Sequence, residues 1–253
     1  MTAAMITGAT SGIGLEFAHQ LGARGHHLVL VSNEDDRLAA VSAELAAKYG
    51  VEVETVLADL SVRADVERIA DRARTVGVLV NNAGFGLQQW FLDNERAAEE
   101  ALLDVLCRAV LVVSHAAGRA MRDRGSGTII NVASVAGWVA GGTYSAAKSW
   151  VIAFSEGLAG ELASSGVTVT VLCPGLVRTE FHQRSGISVD KASERLWLDA
   201  PRVVRDCLAD VGRGKVISVP GPIYKGLAWI SRIAPRRFVR SGGKLTSHRP
   251  PLR

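Results

Sequence analysis

Residues 7 to 14 read Thr-Gly-Ala-Thr-Ser-Gly-Ile-Gly, directly after a short apolar run and directly before a stretch with helical periodicity. Such a glycine-rich turn joins the first strand of a βαβ unit to its helix. Glycines let the backbone approach an anion closely, and the free amides and dipole at the helix N-terminus favour negative charge there. The stretch predicts a pyrophosphate-binding turn; a tight βα connection without a ligand is the simpler alternative.

The rest of the chain repeats the order of strand and helix, without an internal repeat or a low-complexity linker. This alternation predicts an α/β fold, a doubly wound Rossmann-type parallel sheet of about seven strands in a single domain. The expected strands lie near residues 3–7, 27–32, 51–57, 77–81, 127–133, 167–173 and 215–219. The expected helices cover residues 13–24, 35–48, 62–74, 96–123, 144–164 and 200–211.

Composition restricts the compartment and the partners of the protein. The three cysteines are far apart and lack metal or redox spacing, so we expect no metal site and a reducing, cytoplasmic location. The N-terminal residues show no export signal, because glycines interrupt the first apolar stretch. Residues 211–253 hold ten Lys and Arg and no Asp or Glu, which leaves 19 basic and 25 acidic residues, or −6, for residues 1–210.

Four further motifs stand at predicted strand ends or at a helix start. Asn81-Asn82-Ala83-Gly84 closes the fourth strand, Ser134 ends the fifth and Pro174-Gly175 follows the sixth. Tyr144 and Lys148 are four residues apart and share one face of a helix. A tyrosine and a lysine at this spacing are usually surface neighbours, so the pair is informative only together with the other motifs.

In this combination and order, the motifs resemble those of the short-chain dehydrogenase/reductase family over about residues 3–220. The resemblance implies an NAD(P)-dependent oxidoreductase that interconverts an alcohol and a carbonyl by hydride transfer. It implies Tyr144 as general acid or base, Lys148 as the group that lowers the tyrosine pKa and holds the nicotinamide ribose, and Ser134 as the group that orients the substrate oxygen. The cofactor-binding residues that it implies are Gly8, Thr10, Ser11, Gly12, Ile13, Gly14, Asn33, Asp59, Leu60, Asn82, Ala83, Gly84, Tyr144, Lys148, Pro174, Gly175, Val177 and Thr179.

The chain departs from the family pattern at two places. The family usually has an asparagine that holds a water in the proton relay from the lysine, and that position falls on Leu106. The interval from Ser134 to Tyr144 is ten residues, about three fewer than is usual, and Gly141 and Gly142 make a tighter loop feasible. Leu106 keeps a second hypothesis open, a cofactor-binding sensor or scaffold with weak or lost catalysis.

The residues after the second strand decide between cofactors in this family, and here they are Ser32-Asn33-Glu34. Neither an acid nor an arginine stands at the strand end itself. We expect NADP with a slight preference, because no carboxylate there would repel the 2′-phosphate, although Glu34 argues for NAD.

The substrate pocket is expected beneath residues 180–199, with Phe85, Gly86, Trp90 and Trp138 at its mouth. Leu196-Trp197-Leu198 is apolar in a polar stretch, which fits either a mobile lid over an apolar alcohol or ketone or a short helix packed on the core. His182 is expected to be a surface residue.

Residues 1–220 are expected to form the catalytic domain, and residues 221–253 a basic extension. Leu227, Ile230, Ile233 and Ala234 give its first part the spacing of an amphipathic helix, and the last residues read as a flexible tail. Packing over the pocket or on a neighbouring subunit is favoured, and peripheral contact with an anionic membrane through Trp229 is the alternative. No nucleic-acid partner is expected, and the family resemblance implies a homodimer or homotetramer.

Overall fold

The computed structural model describes residues 2–184 and 193–233. Its main sheet has seven parallel strands in the order β3-β2-β1-β4-β5-β6-β9, so the winding reverses between β1 and β4. The strands are β1 Ala3–Thr7, β2 His27–Ser32, β3 Val53–Leu57, β4 Val78–Asn81, β5 Gly127–Val132, β6 Val167–Leu172 and β9 Ile217–Ser218. Two short strands, β7 Val177–Arg178 and β8 Leu198–Asp199, pair with each other outside this sheet.

The helices cover both faces of the sheet, as parallel strands with right-handed crossovers require. They are α1 Gly12–Gly22, α2 Asp35–Tyr49, α3 Arg63–Ala73, α4 Arg96–Leu103, α5 Ala109–Arg124, α6 Thr143–Glu161, α7 Phe181–Arg184, α8 Ala200–Val211 and α9 Pro222–Ile233. The doubly wound fold and its seven strands are confirmed; β1 and β2 have the predicted bounds, and the other five strands are one to three residues shorter than the apolar runs indicate.

A short π-helical turn, Asp104–Arg108, joins α4 to α5 without breaking the helix axis. The continuous helix Arg96–Arg124 is long and apolar enough to cross a membrane by length and composition, and 44% of its most apolar window is buried. Because α5 packs against α3 and β5, this helix behaves as a core element of the domain.

The last described element is α9, which ends at Ile233. Tyr224 and Ala228 on one side of this helix are buried in the core cluster that covers one face of the sheet. Ala234, the expected flexible tail and residues 185–192 of the expected lid lie outside the described residues.

Candidate active site

The glycine-rich turn lies at the point where the winding of the sheet reverses, at the carboxyl end of β1. Gly8 and Gly12 have φ of 64° and 55°, which L side chains rarely adopt. A Cβ on Gly14 would lie 2.1 Å from the carbonyl oxygen of Gly8. Ser11 precedes α1 with no side-chain hydrogen bond to the helix, so it leaves the first amides uncapped. This cradle fits a pyrophosphate, because uncapped amides meet a backbone that no side chain obstructs.

Side chains from β1 and β4 hold this turn in place. The amide nitrogen of Asn82 donates to the carbonyl oxygens of Thr7 at 2.9 Å and Gly8 at 3.2 Å. In return, the Thr7 hydroxyl accepts the backbone N–H groups of Asn82 and Ala83 at 2.9 and 3.0 Å. Asn82 therefore positions the turn, and Thr7, the first residue of the glycine-rich motif, is a site residue that was missing from the predicted set.

The residues predicted for the adenosine end lie in loops after β2 and β3. Asn33 is exposed, and Leu60 is buried behind the Asp59 loop. The Asp59 carboxylate accepts the backbone and side-chain donors of Ser61 at 2.8 and 2.7 Å. Arg108 of the π turn donates to the Ser61 carbonyl at 3.2 Å. The π turn is thus tied to the loop expected to contact adenine.

A network of four charged side chains lies beside the glycine-rich turn, and sequence reasoning missed it. The Glu34 carboxylate accepts the Thr10 hydroxyl at 2.9 Å and pairs with Arg184 at 3.1 Å. Arg37 makes two hydrogen bonds to Glu180, at 2.9 and 2.8 Å, and Arg184 pairs with Glu180 at 2.8 Å. The two arginines and two glutamates join the end of β2 to α7.

Ser134 and Tyr144 are brought together despite the short interval between them. Ser134 caps the 3₁₀ turn Val135–Trp138, and its hydroxyl accepts the N–H of Ala136 at 3.1 Å. A Cβ on Gly137 would lie 2.9 Å from the Lys148 backbone, so the turn packs directly on α6. The Ser134 hydroxyl is also a hydrogen-bond partner of the Tyr144 phenol.

Lys148 is buried, and its ammonium group donates to the carbonyl oxygen of Val132 at 2.8 Å. It lies 5.7 Å from the centroid of the Tyr144 ring. Burial lowers the pKa of Lys148 to about 8, against the opposing influence of the Cys107 and Cys173 thiols. Burial also raises the pKa of Tyr144 to about 12, which the hydrogen bond with Ser134 partly offsets. The cofactor-free site therefore keeps Tyr144 protonated and ready to donate.

Leu106 lies in the π turn, at the position where the family has its asparagine. Its side chain is 1% exposed and packs in an apolar cluster with Leu102 and Ala147. A Cβ on Gly84 would lie 2.7 Å from a methyl group of Leu106 and 3.7 Å from the Lys148 nitrogen. Leu106 therefore makes the surroundings of Lys148 apolar where the family pattern has an amide.

A buried amide ladder supports the strands behind the site. Asn81 donates to the Ser114 hydroxyl at 2.9 Å and to the Asn131 amide oxygen at 2.8 Å. Asn131 donates in turn to the Ser155 hydroxyl at 2.9 Å. These bonds join β4, β5, α5 and α6, and buried polar groups that are all paired define one register. A signal was available in the sequence, since Asn81 ends and Asn131 nearly ends an otherwise apolar strand.

The turn after β6 completes the site, and Pro174 lies at its start. Val177 is buried and pairs with Leu198 of the expected lid segment. Thr179 lies against the glycine-rich turn, since a Cβ on Gly12 would be 3.1 Å from it. The Phe181 ring of α7 lies 6.0 Å from the Tyr144 ring.

Leu196 and Leu198 pack on the main core, in a 3₁₀ turn and a short strand respectively. The segment 196–198 was expected to form either a mobile lid or a short helix packed on the core. It packs on the core, but as a 3₁₀ turn and a strand instead of a regular helix.

A dinucleotide cradle next to a buried lysine and a protonated tyrosine, at the reversal point of a Rossmann-type sheet, defines the class of nicotinamide-dependent oxidoreductases. The pattern of the family described as short chain dehydrogenase matches residues 2–188. The chain belongs to this family and is an NAD(P)-dependent oxidoreductase.

Relatives and a solved structure agree with this assignment. The chain is 32% identical to the 3-oxoacyl-(acyl-carrier-protein) reductase FabG of Escherichia coli, over 76% of this chain and 83% of that protein. It is 32% identical to a very-long-chain 3-oxoacyl-CoA reductase of Anas platyrhynchos, over 78% of this chain and 66% of the relative. A short-chain dehydrogenase from Sphingobium yanoikuyae in complex with NADPH superposes with a TM-score of 0.86 at 30% identity, covering 100% of this chain and 98% of that chain.

The buried Lys148 predicts a specific dependence of stability on pH. Below pH 8 the lysine is charged in both states, and the folded state bears the full cost of burying it. Between its folded pKa of about 8 and its unfolded pKa of about 10.4, the unfolded state binds more protons, so this group raises the free energy of unfolding with pH, by at most about 1.4 kcal/mol per unit. Urea unfolding at pH 7.5 and 9.5 should show a steeper rise for wild type than for Lys148→Met. Equal slopes in the two proteins would contradict the burial of a titrating lysine.

Proposed function

We propose that this enzyme reduces the keto group of 3-oxoacyl thioesters with NADPH, and that Ser134, Tyr144 and Lys148 carry the reaction. The observation that carries the proposal is the position of Tyr144, whose ring centroid lies 5.7 Å from the buried ammonium group of Lys148 and whose phenol is a hydrogen-bond partner of Ser134. The same residues would act as base and acid in the reverse direction, alcohol oxidation.

In the proposed mechanism, NADPH when bound supplies the hydride. The Tyr144 hydroxyl donates its proton to the carbonyl oxygen of the substrate as the C=O bond becomes an alcohol. The Ser134 hydroxyl donates a hydrogen bond to the same oxygen and fixes its position. The positive charge of Lys148 stabilises the tyrosinate that remains, while the Val132 carbonyl holds the ammonium in place.

Two observations support an acyl thioester as the substrate. Both relatives named above are 3-oxoacyl reductases. The surroundings of Tyr144 are apolar, since Phe85 and Leu87 pack against the same apolar cluster as Tyr144, and the Phe181 ring lies 6.0 Å from the Tyr144 ring. Apolar surroundings suit an acyl chain. The hydroxyl groups of Tyr144 and Ser134 then need to contact only the keto oxygen of the substrate.

The test is NADPH consumption with a series of 3-oxoacyl thioesters of increasing chain length, beside bulky ketones that lack a thioester. We expect kcat/KM to rise with chain length, by roughly tenfold for every two buried methylene groups. A bulky ketone that is reduced faster than every thioester would refute the substrate proposal and leave the family reaction intact.

We propose NADPH over NADH because two guanidinium groups, of Arg37 and Arg184, lie beside the end of β2. They pair with Glu34 and Glu180 at 2.8 to 3.8 Å. A 2′-phosphate would take up hydrogen bonds from these arginines, and their charge offsets the repulsion from Glu34. The NADPH complex of the Sphingobium yanoikuyae enzyme supports this choice.

Arg37→Ala should raise KM for NADPH by about tenfold, the value of a lost charge-assisted hydrogen bond, and change KM for NADH less than about twofold. Arg72→Ala is the matched control, since Arg72 forms a comparable bidentate pair with Glu54 at 2.7 to 3.0 Å in a different part of the fold. A wild-type enzyme that prefers NADH, or an equal loss with both cofactors in Arg37→Ala, would refute the NADPH proposal.

A second function, a cofactor-binding sensor with slow chemistry, is favoured by one observation, the apolar environment that Leu106 gives to Lys148. Within the described residues, the Lys148 ammonium group donates to the backbone carbonyl of Val132, which cannot pass a proton onward. The retained Ser134, Tyr144 and Lys148 favour the enzyme.

Leu106→Asn separates these two functions. If Lys148 exchanges protons by another route, turnover should change less than about threefold, while the free energy of unfolding falls by about 2 kcal/mol because an amide replaces a buried leucine. Steady-state kinetics and urea unfolding measure both quantities. A rise in turnover of tenfold or more would instead indicate an impaired relay and support the sensor.

We also infer that the outer face of α9 is covered by a second copy of the chain in a homo-oligomer. Four apolar side chains on this helix are 45 to 65% exposed: Ile223, Leu227, Trp229 and Ile230. The basic segment 211–253 and the net negative charge of residues 1–210 are complementary between copies.

Light scattering should give a dimer or tetramer for wild type and a smaller species for Leu227→Glu. A monomer that sediments with phosphatidylserine vesicles would show instead that a membrane covers this face. The three free cysteines support a reducing compartment such as the cytoplasm.

A further inference from the structure

The side chain of Tyr224 reaches from the C-terminal helix into the catalytic domain. It is 5% exposed, whereas the next residue on each side, Ile223 and Lys225, faces solvent. Its ring lies flat against Gly175, since a Cβ at that position would be 1.9 Å from the Cζ atom of the tyrosine and 2.2 Å from both Cε atoms. Any side chain at position 175 would therefore clash with the Tyr224 ring.

The phenol oxygen of Tyr224 makes two hydrogen bonds to two different segments. It accepts the backbone N–H of Leu176 at 3.0 Å, in the turn after β6. It donates to the carbonyl oxygen of Leu196 at 2.7 Å, in the 3₁₀ turn that precedes β8. Both partners are backbone groups in irregular segments, where a lost hydrogen bond is not replaced by a neighbouring turn of helix or strand.

These two segments pair with each other, and one of them continues to the dinucleotide cradle. The turn after β6 continues through Val177 to Thr179, which lies against Gly12 of the dinucleotide cradle. The segment around Leu196 leads into β8, whose Leu198 N–H donates to the Leu176 carbonyl at 2.9 Å. A single side chain thus fixes the start of the turn after β6 and the end of the 3₁₀ turn Glu194–Leu196.

We propose that Tyr224 is a positioning residue that holds the turn after β6 and the Leu196 segment in the geometry needed for cofactor binding. It touches neither substrate nor reacting atoms and acts through Leu176 and Leu196. The C-terminal helix is then a structural part of the active site, and this role does not depend on which carbonyl compound is reduced.

Tyr224→Phe tests the proposal, because it keeps the ring on Gly175 and removes both hydrogen bonds. In the cofactor-free protein, amide hydrogen exchange at Leu176 and tryptic cleavage after Arg195 should each accelerate by about three- to tenfold, the effect of losing one net hydrogen bond. The dissociation constant for NADPH, measured by fluorescence, should rise by a similar factor. Gly175→Ala should reproduce these effects by displacing the ring.

Tyr49→Phe is the control, since the Tyr49 hydroxyl also makes a hydrogen bond, to the side chain of His19 at 3.1 Å, near the C-terminal end of α1. We expect this variant to leave Leu176 exchange, Arg195 cleavage and NADPH affinity at wild-type values. Tyr224→Phe with unchanged exchange at Leu176, or with exchange raised equally at Leu176 and throughout β1 and β4, would overturn the proposal, because only a local effect follows from the two hydrogen bonds.

Discussion

Tyr144→Phe should lower kcat for carbonyl reduction by about 10²- to 10⁴-fold, the usual contribution of a positioned general acid. The variant loses the one hydroxyl that is both protonated at neutral pH and hydrogen-bonded to Ser134. The ring and its contacts with Phe181 and the apolar cluster stay, so the fold should remain intact. Stopped-flow absorbance of NADPH measures the hydride-transfer step directly.

Cofactor affinity distinguishes this expectation from a general loss of structure. The dissociation constant for NADPH should stay within about threefold of wild type in Tyr144→Phe, because Tyr144 contributes at most one hydrogen bond to the nicotinamide ribose. The proposed role of Tyr144 would be wrong if the variant kept more than a tenth of wild-type turnover.

Gly14→Ala should weaken NADPH binding by about 10- to 100-fold, corresponding to the 1–3 kcal/mol of a forced overpacking. The added Cβ would lie 2.1 Å from the Gly8 carbonyl oxygen and 2.4 Å from the Asn82 amide nitrogen. Since Asn82 holds the turn to β4, the methyl group cannot be accommodated without moving the cradle itself. Isothermal calorimetry of NADPH binding provides the measurement.

Gly157→Ala is the control for the loss of a glycine as such. Gly157 lies inside α6, and a Cβ there meets no atom within 4 Å. This variant should bind NADPH as wild type does and gain roughly 0.5–1 kcal/mol of stability, the difference in helix propensity between the two residues. Similar losses of affinity in both glycine variants would mean that the cradle geometry is not what limits binding.

The fold could be predicted from sequence because strand and helix have different apolar periods. The β1 and β2 runs are mostly apolar and buried after their first residue, and their bounds were predicted without error. The last strand, β9, is shorter than the predicted strand at residues 215–219. It pairs with β6 only at Val171–Ile217 and Leu172–Ser218, and the apolar run extends beyond this paired part.

The central residues of the site could also be predicted from the sequence, because the motifs that contain them follow predicted strands or begin a helix in a fixed order. The structure brings Ser134, Tyr144 and Lys148 together and places Gly84, Asn82 and the glycine-rich turn beside them. The expected tighter loop after Ser134 is accommodated by Gly137, whose missing side chain lets the 3₁₀ turn rest on α6.

The charged network and the contacts of Tyr224 could not be predicted, because they join residues that are far apart in the chain. Arg37 and Glu180 are 143 positions apart, and their pairing follows from where α7 folds. Tyr224 lies three residues before the first apolar residue that predicts the amphipathic helix. Its two hydrogen bonds go to irregular turns, which have no periodic signal in the sequence. Such contacts follow from tertiary packing, which a single sequence does not encode in a local pattern.

The most direct test of hydride transfer at this site uses NADPH deuterated at both C4 positions with the carbonyl compound that wild type reduces best. Mass spectrometry of the product should show one deuterium at the former carbonyl carbon with wild type, and product formation reduced by about 10²-fold or more with Tyr144→Phe. An alcohol product without deuterium, or NADPH binding with no labelled product from any carbonyl compound tested, would contradict hydride transfer by Ser134, Tyr144 and Lys148.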